Sequence, residues 1–199
     1  KGDRAQGAGG AIAPRTAEKG NPALPLEGRQ TTILLIRAGR RAPEGRMGQT
    51  VTRQELQAMV GQELGASQWM VIDQARVDQF ADVTLDHQFV HVDLERAKAT
   101  PFGGTIAHGF LTLSLLVHLC LPFIPVLSDR KLVVNYGFDK VRFSAPVKVG
   151  KRIRAVGKLG EVAERKPGNI VMRVDVTVEI EGENKPALVA EWLSLHVVE

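Results

Sequence analysis

Residues 106–121 read IAHGFLTLSLLVHLCL, and apolar side chains fall on every side of this stretch when it is wound as a helix. A helix that is apolar all round is buried all round, so Ile106–Leu121 is expected to be one long helix enclosed by the rest of its domain. The enclosing material follows it in the chain. Leu132–Phe138, Val141–Ala145, Arg152–Leu159, Ile170–Ile180 and Ala187–Val198 read as strands, with turns at Pro146–Gly150, Pro167–Asn169 and Glu181–Pro186. A buried helix ahead of a run of antiparallel strands predicts an α+β fold, with an antiparallel sheet wrapped around that helix. The sequence has no internal repeat.

Upstream, Thr52 and Glu55 form a capping box before the apolar stripe Leu56, Met59, Val60. Ser67–Ile72 has strand character. Asp73 is placed to cap a second helix over Gln74–Val83, with Val77, Phe80 and Ala81 on one face. Thr84–Asp93 reads as a polar loop, Leu94–Lys98 as a short helical turn, and Pro101-Phe102-Gly103-Gly104 as a loop. These elements place one domain at residues 51–199.

Residues 1–50 differ in kind. They hold nine of the 20 glycines and no aromatic residue, too little apolar surface to offset an ordering cost of roughly 1–2 kcal/mol per residue. This segment is expected to be a disordered, basic, Gly- and Arg-rich extension. Met47 stands directly before the domain, so the extension is read as translated sequence ahead of a natural start, with a targeting arm as the alternative.

Charge and composition exclude several classes. The formal net charge is +4, yet residues 1–50 carry nine Lys or Arg against four acids, leaving 17 basic and 18 acidic residues in the domain. The basic excess therefore belongs to the extension, and no nucleic-acid partner is expected. The richest apolar segment, Ile106–Val126, is interrupted by His108, His118, Pro122 and Pro125, and no run reaches the roughly 18 residues that span a bilayer. A single cysteine, Cys120, precludes an internal disulfide and suggests a reducing, cytoplasmic setting. Among leucines, it reads as a core residue.

Chemistry concentrates in Asp86-His87-Gln88-Phe89-Val90-His91-Val92-Asp93 and in the FGGTIAHGF run of residues 102–110. Adding water to a double bond beside a thioester carbonyl requires an activated water, a proton for the α carbon and a stabilised carbonyl oxygen. A carboxylate and an imidazole beside one water meet the first two needs. A backbone N–H at a helix N-terminus meets the third, because it has no partner within the helix. Gly109 starts the apolar helix, and without a side chain it admits a carbonyl closely. Loss of one such donor typically costs about 3–4 kcal/mol of barrier.

The run DHQFVHVD, then Arg96-Ala97, then PFGGTIAHGFLTLSL from Pro101, resembles the MaoC-like hydratases in their nodulation-protein-N-like branch. The family motif places an Asp five positions before a His and then I-A-H-G, matched here by Asp86, His91 and Ile106–Gly109. Asn135-Tyr136-Gly137, Lys140-Val141-Arg142-Phe143 and Pro146-Val147 match a later block of this branch, so the resemblance spans about residues 51–199. It implies a hot-dog fold and an (R)-specific 2-enoyl-CoA hydratase that acts as a homodimer. Asp86 and His91 would hold the catalytic water, with the acid and base roles unassigned, and the Gly109 N–H would polarise the thioester. Many members have Asn-Pro between the Asp and the His where this chain has Gln88-Phe89-Val90, which bears on substrate and rate.

His108, Asn135 and Arg142 are candidate substrate contacts, each with a structural alternative: a hydrogen bond at the Gly109 turn, strand packing and a solvated strand end. Lys148, Lys151 and Arg152 share the last alternative, while Tyr136, His118 and His196 read as structural. His87 and His91, four apart, would form a zinc pair with Asp82 or Asp93 on a helix. Phe89, Val90 and their flanks argue against a helix there, so no metal is expected and no cofactor beyond the coenzyme A of the substrate. Neither a phosphate-binding loop nor a G-x-S-x-G elbow is present. Two rival functions share the fold: a non-catalytic acyl-thioester binder or accessory protein, and a thioesterase. The thioesterase would carry its acid on the buried helix, but no Asp or Glu occurs between Ile106 and Leu127.

Overall fold

The structure, a computed structural model, describes residues 48–199. The expectation for residues 1–47 lies outside the described residues. Residues 48–50, counted above with the extension, belong to the fold: the Gly48 N–H donates to the Pro122 carbonyl at 2.8 Å, and Thr50–Val51 (β1) pairs in parallel with Val126–Leu127.

The capping box forms as expected at α1 (Arg53–Ala58). The Thr52 hydroxyl accepts from the Glu55 N–H at 3.2 Å, and the Glu55 carboxylate accepts from the Thr52 N–H at 2.8 Å. Next come β2 (Glu63–Ala66), for which the sequence reading had no counterpart, and β3 (Met70–Val71), a remnant of the strand expected over 67–72. Asp73 caps α2 (Gln74–Thr84) by accepting from the Arg76 N–H at 2.9 Å. The polar loop is partly helical, since Phe89–Val92 forms the turn α3, followed by α4 (Leu94–Lys98) with Asp93 as its N-cap.

The enclosing-sheet expectation holds, but the single long helix does not. Residues 109–120 form two short helices, α5 (Gly109–Ser114) and α6 (Leu116–Cys120), joined at Leu115, where ψ of −10° departs from the helical value near −42°. Nor is the stretch buried all round. Leu111, Leu116, Leu119 and Cys120 are in the core, whereas Phe110 is 67% exposed and Val117 and Leu121 are also open. Burial pushes the Cys120 thiol up to about 12, as the core reading of this residue requires.

After β4 (Val126–Leu127) come β5 (Arg130–Phe143), β6 (Arg152–Lys166), β7 (Asn169–Ile180) and β8 (Leu188–Val198). The two strands expected over 132–138 and 141–145 are one, β5, which absorbs its polar middle through register shifts between Asn135 and Gly137 and between Phe138 and Lys140. The sheet order is β2-β6-β7-β8-β5, with β3 also on β6 and every pairing antiparallel. Along β8, buried and half-buried residues alternate without a break, so one face of the sheet meets the core. That face meets α5 and α6 in a single cluster containing Leu111, Leu119, Phe123, Leu159, Met172, Val174, Leu188 and Trp192. No helix of the described residues is long and apolar enough to cross a membrane.

One close contact sets a stability prediction. A Cβ on Gly157 would fall 2.5 Å from Cε2 of the buried Phe123 ring. Gly157→Val is therefore expected to cost about 1–3 kcal/mol by overpacking, read as a lower midpoint in denaturant. A midpoint at or above the wild-type value would show that the ring yields freely.

The flank at β5 is open. Among the described residues this edge strand pairs only with β8, and its Leu132, Val133, Val134, Tyr136, Phe138 and Phe143 side chains are exposed.

Candidate active site

The helix α2 ends on Leu85 in the left-handed region (φ 61°), unusual for a residue with a branched side chain and costly by about 1–2 kcal/mol. This turn redirects the chain into Asp86. Three residues later the short helix α3 begins, and it buries Val90 and His91 while Asp86 stays exposed. The chain segments are stitched together at this point: the Ile106 N–H donates to the Val90 carbonyl at 3.0 Å, and His91 Nδ1 lies 2.7 Å from the Ile106 carbonyl oxygen. A carbonyl only accepts, so Nδ1 of His91 carries the hydrogen and Nε2 keeps a lone pair. By the same argument Nε2 of His108, 3.0 Å from the Asp86 carbonyl oxygen, is a donor. Its Nδ1 is buried and has no partner among the described residues.

The two imidazoles stack, with centroids 3.8 Å apart and planes inclined by 29°, and Phe80 packs against His108 at 5.1 Å. One ring nitrogen of each histidine and a carboxylate oxygen of Asp86 lie within 4.8 Å of one another. Desolvation holds His91 below the usual imidazole range, aided by His108 and opposed by the bond to Ile106 and the Asp86 charge. His91 is thus neutral at pH 7, with one nitrogen committed to the backbone and the other available as a base.

Residues 55–181, nearly two thirds of the chain, match the family described as MaoC like domain. The chain belongs to the MaoC-like domain family. It is 49% identical over 142 residues to nodulation protein N of Rhizobium leguminosarum bv. viciae, covering 71% of this chain and 88% of that protein. It is 50% identical over 143 residues to 3-hydroxyacyl-thioester dehydratase Z of Mycobacterium tuberculosis, covering 72% of this chain and 94% of the relative. Among solved structures it is similar to the (R)-hydratase of A. caviae involved in PHA biosynthesis, with a TM-score of 0.55 at 26% identity over 68% of this chain and 94% of that one. The fold is that of the MaoC-like hot-dog proteins.

In this MaoC-like domain the structure brings Asp86, His91 and His108 together and leaves other candidates apart. Gly109 begins α5 directly after the stacked His108, and its N–H has no acceptor among the described residues. A Cβ there would lie 3.1 Å from the half-exposed Phe143 ring, which would have to shift by a few tenths of an ångström to admit it. Asn135, opposite Ser194, lies on the core-facing side of β5 at its open edge. Arg142 pairs with the half-buried Val189 and, by strand alternation, points from the opposite face to Phe143; its guanidinium donates to the Val141 carbonyl. Among the described residues neither Asn135 nor Arg142 hydrogen-bonds to the Asp86–His91–His108 group. His87 pairs with Asp82 at 2.9 Å on the surface, so the trio that converges is not the one expected for zinc. The helical turn that argument ruled out is present, but it turns only His91 inward.

Gln74 escaped the sequence reading. Its amide donates to the His91 carbonyl and to Asp78, both at 2.7 Å, and its oxygen accepts from the Thr105 hydroxyl at 2.7 Å. One side chain thereby ties α2, α3 and the entry to α5. No local pattern announces this role, because Gln74 lies 17 residues from one partner and 31 from another. It also lines a cleft of about 430 Å³ with Val92, Gly104, Thr105 and Lys148. Lys148, at the rim, has no carboxylate partner among the described residues, whereas Lys151 and Arg152 pair with Glu183 and Glu181.

Proposed function

We propose that the chain is a hydro-lyase that reversibly hydrates a trans-2-enoyl-CoA, or a related acyl thioester, to the (R)-3-hydroxyacyl thioester. The observation that carries this reading is the approach of the Asp86 carboxylate to a neutral, buried His91 with one unprotonated nitrogen. A water held between them loses a proton to His91 as its oxygen attacks the β carbon, with Asp86 orienting the remaining O–H. The resulting imidazolium returns a proton to the α carbon, so the pair ends as it began. The Gly109 N–H meets the charge that grows on the thioester oxygen. Lys148 at the cleft rim suits an anionic carrier such as coenzyme A better than Arg142 does. The family match and the names of the dehydratase and hydratase relatives support the same reaction class. No cofactor other than the coenzyme A of the substrate enters this scheme.

The working unit in this proposal is a homodimer. The exposed apolar residues of β5 and Phe110 form a surface of the kind that marks an interface, and β5 has no second strand partner among the described residues.

The test is the loss of enoyl-thioester absorbance when the purified chain meets crotonyl-CoA and longer homologues, with chiral analysis of the product. Hydration to the (R)-alcohol is expected, by a species of dimer mass in sedimentation. Release of free coenzyme A would point to a thioesterase. Binding without turnover at every chain length would leave an acyl-thioester binder.

A further inference from the structure

The helix α3 is a single turn of four residues with no side-chain N-cap, too short to hold itself together. What holds it comes from outside. At its C-terminal end the Val90 carbonyl accepts from the Ile106 N–H at 3.0 Å, and the His91 carbonyl accepts from the Gln74 amide at 2.7 Å. The Ile106 carbonyl in turn accepts from His91 Nδ1 at 2.7 Å. One residue upstream, the hydroxyl of the buried Thr105 donates to Gln74 Oε1 at 2.7 Å. These contacts close a loop that runs from the His91 carbonyl through the Gln74 side chain, the Thr105 hydroxyl and the Ile106 carbonyl back to the His91 ring. His91 is thus gripped at its main chain and at its imidazole, and Gln74 joins the two supports.

The Gln74 amide has one workable orientation. Its NH₂ group faces a carboxylate oxygen of Asp78 and the His91 carbonyl, both at 2.7 Å and both acceptors, which leaves Oε1 for the Thr105 hydroxyl. The residue type is narrowly set as well. Asn is one methylene short of the span, and an ionised Glu would turn an acceptor toward the Asp78 and His91 oxygens.

We propose that Gln74 is a positioning residue for the hydration step: oriented by Asp78 and tied to Thr105, it fixes the His91 main chain relative to the Ile106 carbonyl and so aims the free nitrogen of the ring. Gln74 itself touches no reacting atom. It acts through His91, and a group misplaced by about 1 Å can lose on the order of a hundred-fold in rate. The kinetic half of this inference rests on the hydratase reading; the structural half rests on the hydrogen bonds alone.

The test replaces Gln74 with Met, which keeps the length and loses every polar contact, and Thr105 with Val or Ser. Two measurements are made on the full chain. Imidazole nitrogen–proton correlation spectra report the His91 tautomer, with its signal assigned by its loss in His91→Gln, and steady-state kinetics follow crotonyl-CoA hydration. Wild type is expected to hold the His91 hydrogen on Nδ1. Gln74→Met and Thr105→Val should show both tautomers and a kcat lower by about ten- to a hundred-fold at unchanged KM. Thr105→Ser, which keeps the hydroxyl, should recover most of that loss. A pure Nδ1–H tautomer in a folded Gln74→Met or Thr105→Val chain would overturn the proposal, as would a kcat within a factor of about three of an active wild type. The latter with a raised KM would make Gln74 a carrier contact in the cleft it lines. Should Gln74→Met fail to fold, Thr105→Val, which removes one hydroxyl at nearly constant shape, decides alone. Mixed tautomers in the variants of a chain that hydrates no enoyl thioester would uphold the brace and refute the reaction.

Discussion

Asp86→Asn and His91→Gln are each expected to lower kcat for crotonyl-CoA hydration by about two to four orders of magnitude, the range that a positioned proton-transfer group contributes. The loss should fall on kcat rather than KM, because both groups act on water and protons and not on the carrier. Asp86 is exposed and among the described residues its carboxylate makes only a long hydrogen bond, 3.4 Å from the Gln88 nitrogen, so Asp86→Asn should retain the wild-type melting temperature. His91 is buried and bonded to Ile106, and Gln in its place preserves a donor for that carbonyl. Steady-state kinetics with circular dichroism on both variants decides the matter. A fully folded Asp86→Asn enzyme within a factor of about three of wild type would remove Asp86 from the proposed mechanism, since such a loss lies far below that range.

The second large effect concerns acid. His196 is fully buried on β8, bonded to Ser194 at 2.9 Å, with its other nitrogen unpartnered among the described residues. Desolvation, and secondarily the charge of Arg130, push its pKa down to about 4. The unfolded chain takes up this proton near pH 6.5 and the folded chain does not, so stability is full above that value and falls as pH drops toward 4. The His196 contribution is on the order of 3 kcal/mol across this window, a sizeable part of the roughly 5–15 kcal/mol typical of a domain. His91, lowered in the same direction, adds to it. Urea midpoints between pH 7.5 and 4.5 should fall steadily for wild type and less steeply for His196→Leu. A flat wild-type profile, or one unchanged in the variant, would rule His196 out as the acid-sensitive group.

What the sequence made legible was local or periodic. The caps at Thr52 and Asp73 depend on residues three apart, and burial alternates through all of β8 and from Met172 to Ile180 in β7, so each is written where it acts. β2 was not legible: its four residues include Gly65 at φ 134°, and its pairing with β6 reaches across the chain. α3 hid among polar neighbours because a four-residue turn has no period to read. The apolar wheel of residues 106–121 reported hydrophobicity correctly but not coverage, since one chain leaves Phe110 and Leu121 open. At the site, Asp86 and His91 stood out by spacing and by family motif. The stacking of His108 on His91 and the Gln74 bridge arise from tertiary approach, which spacing does not encode.

The two acceptors that set the imidazole tautomers, the oxygens of Ile106 and Asp86, are main-chain atoms, and no amino-acid exchange deletes them. Where the hydrogens reside on the rings is thus dictated by the route of the polypeptide, not by the identity of neighbouring side chains. Evolution or a protein engineer can recarve the surrounding walls for another acyl group while that proton inventory persists. Only an insertion or deletion that displaced one of these two peptide groups would rewrite it.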